Sequence, residues 1–394
     1  MSLLGRFEDV LSSYSPLIQD VFNNIDGHDL QILYTQINRD SSGRPYLTEY
    51  EYGVDAEKYF YPGSAIKLPG ALLALEKLAT LSIPDLNRDT PLKIGCSRDS
   101  QTAVDVDITA PNSTPTIAHY IRKLFVVSDN DAYNRLYEWV GQRQLNEVLW
   151  AKGYNDIRLT HRLSQSMSLE ENRYTNPFIF YTLGNEIFRQ PSQFNTKVYT
   201  ASEPVFKGVG EVVDGIEKKV PKNFSGYNMI SVRVLQDLLK AVVMPECVPS
   251  KQRFAISEDD RRFLLKAMSM LPFECSCPIY DRSKYYDSYV KFLMFGDSKN
   301  NIPPEIRIFN KVGLAYGYLV DNAYIVDLKR GVEFFLTVVI LVNKNGVFND
   351  NKYEYDQLGL PFMSQVGRAV YEYEIQRKRR HKIDLNEFDI SYSK

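Results

Sequence analysis

Cysteine is scarce in this chain: Cys96, Cys247, Cys275 and Cys277 are the only four among 394 residues. That is too few and too irregular for a disulfide scaffold. The pair in "ECSCP" is separated by a single residue, whereas structural zinc ligands are usually spaced by two to four. No metal or cofactor is therefore expected, and a Cys247–Cys275 bridge stays open for an oxidising compartment. An excess of charge of one sign is missing as well. Lys and Arg number 47 against 49 Asp and Glu, a net charge of −2, which gives no general electrostatic case for nucleic acid or an anionic membrane. No run approaches the ~18 apolar residues of a membrane span. The opening "MSLLGRFEDVLSSYSPLIQDVFNNIDGHD" has no basic segment followed by an apolar block, so as written it does not read as a signal peptide. It reads as an amphipathic helix with Phe7, Val10, Leu11 and Leu17 on one side. The one dense basic run, Arg377, Lys378, Arg379, Arg380, His381 and Lys382, reads as a solvated helix end favoured by the helix dipole.

What is present, 44% hydrophobic and 13% aromatic residues, suffices for one large core or two modest ones. After the first helix come two strand-like runs, "LQILYTQI" and "YLTEYEYGV", joined by the turn-rich "NRDSSGRP". Helical patterns follow over Ser64 to Leu81, Ile117 to Val127, Ala132 to Val140, Ser231 to Val243 and Asp259 to Met270. Strands return in "EIRIFNKVGLAYGYLV", "NAYIVDL" and "EFFLTVVILV", before a last helix from Phe362. This order predicts an α+β fold: a mainly antiparallel sheet flanked by helices, with an inserted all-helical domain. The sheet domain is expected to be discontinuous, 1–63 plus 300–394. The helical domain occupies 64–299, with insertions near 189–227 and 280–300.

One lysine sits where an apolar residue belongs. In "YFYPGSAIKLPGALLALEKL" the positions Leu68, Ala71, Leu72, Leu75 and Leu78 form a buried stripe, and one turn back it lands on Ser64 and Lys67. Three residues apart on a helix, hydroxyl and amine are neighbours. Desolvation lowers a lysine pKa and leaves an amine able to take a proton from serine. A snorkelling structural lysine is the plainer alternative. Ser-x-x-Lys alone says little, for Ser288 and Lys291 repeat it without a helical stripe. Pro69 conflicts with a helix interior and implies a bend or a later start. Further on, "LFVVSDNDAYNRL" sets Ser128, Asp129 and Asn130 between two helices, where they also make a good cap. In "IRIFNKVGLAYGYLV" Lys311, Val312 and Gly313 lie on a strand, and a glycine there marks close approach of a ligand or of another backbone.

Read in order, these three motifs resemble those of the serine β-lactamases and penicillin-binding proteins, most closely the class A β-lactamases. The resemblance spans most of the chain. It implies a serine hydrolase in which Ser64 is acylated, Lys67 is its base and Ser128 relays a proton to the leaving nitrogen. Asn130 would hold the substrate's side-chain amide. Lys311 would supply positive charge near the substrate carboxylate, on the Gly313 strand, and the oxyanion hole would be the N–H groups of Ser64 and Leu314. Val312 replaces the family's hydroxyl residue. Leu163 falls where the family's water-orienting glutamate belongs, with Glu170 and Glu171 the nearest acids. β-Lactam ring opening with slow deacylation is the expected activity. The alternatives are a D-alanyl-D-alanine peptidase or a non-catalytic binding protein of the same fold. The expected partner is a small β-lactam or a peptidoglycan-type peptide, with no nucleic acid and no membrane span, and the resemblance implies a periplasmic or secreted location. Oligomeric state is open.

Overall fold

A computed structural model describes residues 3–381 and 383–392. The N-terminal amphipathic segment is two helices, α1 (Leu3–Ser12) and α2 (Pro16–Phe22). Pro16 cannot continue a helix but starts one well, and Ser15 caps the second by accepting from the Ile18 amide. Phe7, Leu11, Ile18 and Val21 are buried.

Strands β1 (Gln31–Arg39) and β2 (Pro45–Tyr52) form the early hairpin, and β3 (Ile306–Ala315), β4 (Tyr318–Asp327) and β5 (Val332–Leu341) return from the far end of the sequence. All pair antiparallel in one five-stranded sheet, ordered β3-β4-β5-β1-β2. The β3–β4 turn carries positive φ at both Tyr316 (54°) and Gly317 (80°), the twist that a tight two-residue hairpin needs. Both faces of the sheet are covered. Phe309, Val320, Tyr324, Phe335 and Val339 face one core, and Ile308, Leu319, Ile325, Phe334 and Ile340 face the other. Alternate residues of each strand thus serve two hydrophobic layers, which is why these strands read as nearly unbroken apolar runs.

The first core holds α3 (Lys67–Leu81), α4 (Ile117–Val126), α5 (Asn130–Val140), α6 (Gln142–Lys152), α7 (Val232–Val243) and α8 (Glu258–Ser269). Thr116, Asp129, Ser231 and Ser257 cap four of them, each accepting from a first-turn amide. Among these helices α6 escapes the sequence pattern, because its apolar spacing is diluted by Arg143, Gln144, Asn146 and Glu147. The middle of the chain is not helical throughout. Short strands such as Leu92–Ile94, Phe178–Thr182 and Asn185–Gln190 form a small sheet, and the stretch read as an insertion near 189–227 contributes Gly210–Val213 and Ile216–Lys218 to another. Leu92–Ile94, Gly210–Val213 and Ile216–Lys218, at three or four residues, are too short to show a clear period.

The second core packs α1, α2 and α9 (Leu360–Gln376) against the sheet. The basic run is not a helix end: α9 stops at Gln376, and Arg377 leaves it at φ −67°, ψ 124°. Lys382 lies outside the described residues. All four cysteines are free; Cys247 packs on the first core while Cys275 sits in a separate cluster with Val126 and Met270, so the possible bridge is not formed. No helix among the described residues is long and apolar enough to cross a membrane.

Candidate active site

Ser64 lies in a single 3-10 turn, Gly63–Ile66, and α3 begins at Lys67. The late start resolves the Pro69 conflict: Pro69 is the third residue of α3, within the turn whose amides lack intrahelical partners anyway. Gly63 has φ of 51°, and a Cβ there would stand 3.0 Å from the Leu314 nitrogen. A Cβ on Gly313 would be 2.0 Å from the Pro62 carbonyl oxygen. Both glycines are required because the nucleophile turn rests directly on the β3 backbone. Of the two readings of Gly313, the close approach is therefore to another backbone.

That contact places two amides together. β3 is the edge strand, and in a two-residue hairpin the Ala315–Tyr318 pair exchanges hydrogen bonds, so the Leu314–Leu319 pair does not. The Leu314 N–H therefore points off the sheet edge, beside the unpaired first-turn N–H of Ser64.

Lys67 is completely buried. It donates to the Ser128 carbonyl and, at 2.6 Å, to Asn130 Oδ1, and its Nζ lies 3.2 Å from Ser128 Oγ. Lys311 Nζ reaches the same Oγ at 2.9 Å. Ser128 holds its position at a left-handed φ of 59°, with Asp129 as the cap of α5. Burial, and next the Lys311 charge, push the Lys67 amine well below the ordinary lysine range. Burial also brings Lys311 down to about 7, partly opposed by Asp321. A neutral Lys67 has two N–H groups for Ser128 O and Asn130 Oδ1, so its contact with Ser128 Oγ falls to the lone pair, through which it can take a proton. Ser64 Oγ makes no hydrogen bond among the described residues and lines a cleft of 340 Å³ with Asn130, Leu163, Leu314 and Tyr316.

The loop after α6 completes the cleft. Asn134 clamps Leu163, donating to its carbonyl and accepting from its amide at 2.9 and 2.8 Å. The buried Arg162–Glu138 pair anchors the adjacent backbone. Asn130 Nδ2 donates to Ser164 Oγ at 2.7 Å. An aliphatic side chain thus stands next to the nucleophile. Glu170 and Glu171 do not line this cleft: Glu170 is exposed, and Glu171 accepts from the Ser168 amide at 2.8 Å. That bond, the largest cause, holds the Glu171 carboxyl below its usual range. Both read as loop acids. Sequence inspection misses Asn134, although it sits one turn after Asn130 on the same helical face. It also misses Asn349, Asn351, Tyr353 and Tyr355, which close the cleft from beyond β5; nothing local to that segment announces it.

Residues 15–203 match the model of the beta-lactamase enzyme family, a stretch that contains Ser64, Lys67, Ser128 and Asn130 but not Lys311. No curated protein sequence matches the chain. Among solved structures, the penicillin-binding protein PBP-A aligns with a TM-score of 0.50 at 15% identity over 91% of this chain and 96% of its own. A class A β-lactamase reconstructed as the last common ancestor of Gram-negative bacteria aligns with a TM-score of 0.50 at 14% identity over 92% and 99%. At such identities the likeness is one of architecture. It agrees with the antiparallel sheet packed between helices: the chain has the β-lactamase/transpeptidase-like fold.

Proposed function

We propose that the protein is a serine acyl-transfer enzyme that is acylated on Ser64 by β-lactams and releases the acyl group slowly. The observation that carries this reading is the buried Lys67 amine, which together with Lys311 brackets the Ser128 hydroxyl. Ser64 Oγ attacks the carbonyl carbon and its proton passes to Lys67. The oxygen that becomes negative is met by the Ser64 and Leu314 amides. The C–N bond breaks, and the leaving nitrogen takes a proton from Ser128 Oγ, which Lys67 or Lys311 replaces. An ester on Ser64 remains.

Hydrolysis of that ester needs a water and a base within about 3 Å. Leu163 cannot serve, and Glu170 and Glu171 lie outside the cleft. A persistent adduct favours a penicillin-binding enzyme, such as a D-alanyl-D-alanine peptidase, over a fast β-lactamase.

Incubation with a fluorescent penicillin, followed by intact-mass spectrometry over time, tests this. The expected result is a long-lived adduct on Ser64 whose lifetime is unchanged in Glu170→Gln and Glu171→Gln. Leu163→Glu should shorten it, by up to about a hundredfold if the carboxylate reaches the water. Fast turnover that depends on either loop glutamate would overturn slow release. Absence of any adduct would leave the fold without this chemistry.

A further inference from the structure

The basic run after α9 is unused by the acyl-transfer reading. Instead of fraying into solvent, Arg377 and Arg379 turn back onto the buried Glu374 of α9, whose carboxylate also accepts from Tyr34. Arg377 further donates to Asn38 Oδ1 at 2.7 Å and to the Ile37 carbonyl at 2.9 Å, tying the run to β1. Next to it Arg39 forms a two-pronged pair with buried Glu333. The result is a groove of 390 Å³ between the run and the β1–β2 hairpin.

Five cationic side chains, Arg39, Arg377, Lys378, Arg379 and Arg380, line it against two carboxylates, Glu333 and Glu374. Arg39, Arg377 and Arg379, all half-buried, are committed to those carboxylates. Lys378, Arg380 and His381 are exposed and make no ion pair or hydrogen bond among the described residues. Arg379 Nε is buried with no hydrogen-bond partner. A solvated helix end would not be folded back, anchored at its root and left with surplus donors at its rim.

We propose that this groove binds a phosphate group, either free or as the headgroup of an anionic lipid. Guanidinium and ammonium donors converging on one concave polar surface suit a phosphate's oxygens. The groove adjoins β2, whereas Ser64 rests on β3 at the opposite edge of the sheet, so a phosphate held there leaves the catalytic cleft open.

The test uses the full chain and a Lys378→Ser/Arg380→Ser double variant, both exposed positions. Binding of inorganic phosphate and of glycerol phosphate is followed by calorimetry at low salt, and sedimentation is followed with phosphatidylglycerol-containing and pure phosphatidylcholine vesicles. The parent should bind phosphate, or the anionic vesicles alone, and the variant should bind roughly thirtyfold more weakly. Binding to the soluble phosphates without vesicle binding identifies a free phosphate as the ligand. Vesicle binding that glycerol phosphate competes away identifies the lipid headgroup. No binding to any of the probes, or equal binding by parent and variant at matched thermal stability, overturns the proposal. An unchanged rate of Ser64 labelling in the variant confirms that its cleft is intact.

Discussion

Two of the chain's Ser-x-x-Lys stretches, Ser64–Lys67 and Ser288–Lys291, share spacing and a buried lysine and differ in what surrounds the serine. Lys67 and Lys291 are both buried, and burial lowers both amines, Lys291 to about 7. A depressed lysine is therefore no mark of catalysis by itself. Lys291 donates to the Met268 carbonyl, the Ile308 carbonyl and Asn310 Oδ1 at 2.6, 2.9 and 2.6 Å, none of them a hydroxyl. Ser288 is also buried and donates to the Ser298 carbonyl. That copy is a strut between the 280–300 segment, α8 and β3. At Ser64 the hydroxyl is unbonded and opens on a cleft, with the unpaired Leu314 amide of β3 against its turn. What separates a site from a strut is an accessible nucleophile together with somewhere for the developing charge to go.

The largest effect expected from this contrast is on the nucleophiles. Ser64→Ala should abolish labelling by a penicillin, a loss of about a millionfold in acylation rate. Ser288→Ala should leave labelling intact and lower stability by about 1 kcal/mol, the worth of one hydrogen bond. Labelling that survives in Ser64→Ala would mean that the closed copy opens and reacts.

The lysines sharpen the contrast because their removal should be read by different instruments. Lys67→Met should slow acylation by about a hundred- to ten-thousandfold, the usual contribution of a positioned base, as measured by stopped-flow labelling. Lys291→Met should leave the acylation rate of the folded fraction unchanged. It strands two carbonyls and an amide oxygen in the core, each costing about 1–3 kcal/mol, so its signature is a lower melting temperature.

How much of this the sequence revealed depends on whether a feature is local. The Ser64–Lys67 stripe, the cap-like Ser128–Asn130 and the β3 glycine each follow from a period or a turn rule, and the structure joins Lys67, Ser128, Asn130 and Lys311 by hydrogen bonds. Features set by distant contacts were not readable. The 3-10 turn at Ser64 exists because Gly313, some 250 residues later, lets two backbones touch. The Asn349–Tyr355 wall of the cleft is likewise set by packing beyond β5. The strands between Phe206 and Asn223 are only two to four residues long, at or below the shortest run in which alternation can be recognised.

The smallest expected effect is on pH dependence, and it separates Lys311 from Lys291, two buried amines that both stand at about 7. Burial and the Lys311 charge lower Lys67 against the pull of Asp129, while burial and the Lys291 charge lower Lys311 against that of Asp321. Acylation requires neutral Lys67, which gives a rising limb on the acid side, below the ordinary lysine range. Above about 7 Lys311 loses its charge, and with it the attraction for a carboxylate on the substrate. For a carboxylate-bearing penicillin kcat/KM should then fall by up to tenfold per pH unit, the behaviour of a single titrating group. An uncharged activated ester that acylates the same serine should keep the rising limb and lose the falling one. Lys291 touches neither substrate nor nucleophile, but its charge helps to lower Lys311, so Lys291→Met should leave the rising limb where it was and move the falling limb to higher pH. A falling limb shared by ester and penicillin, or moved to lower pH in Lys291→Met, would overturn its assignment to Lys311.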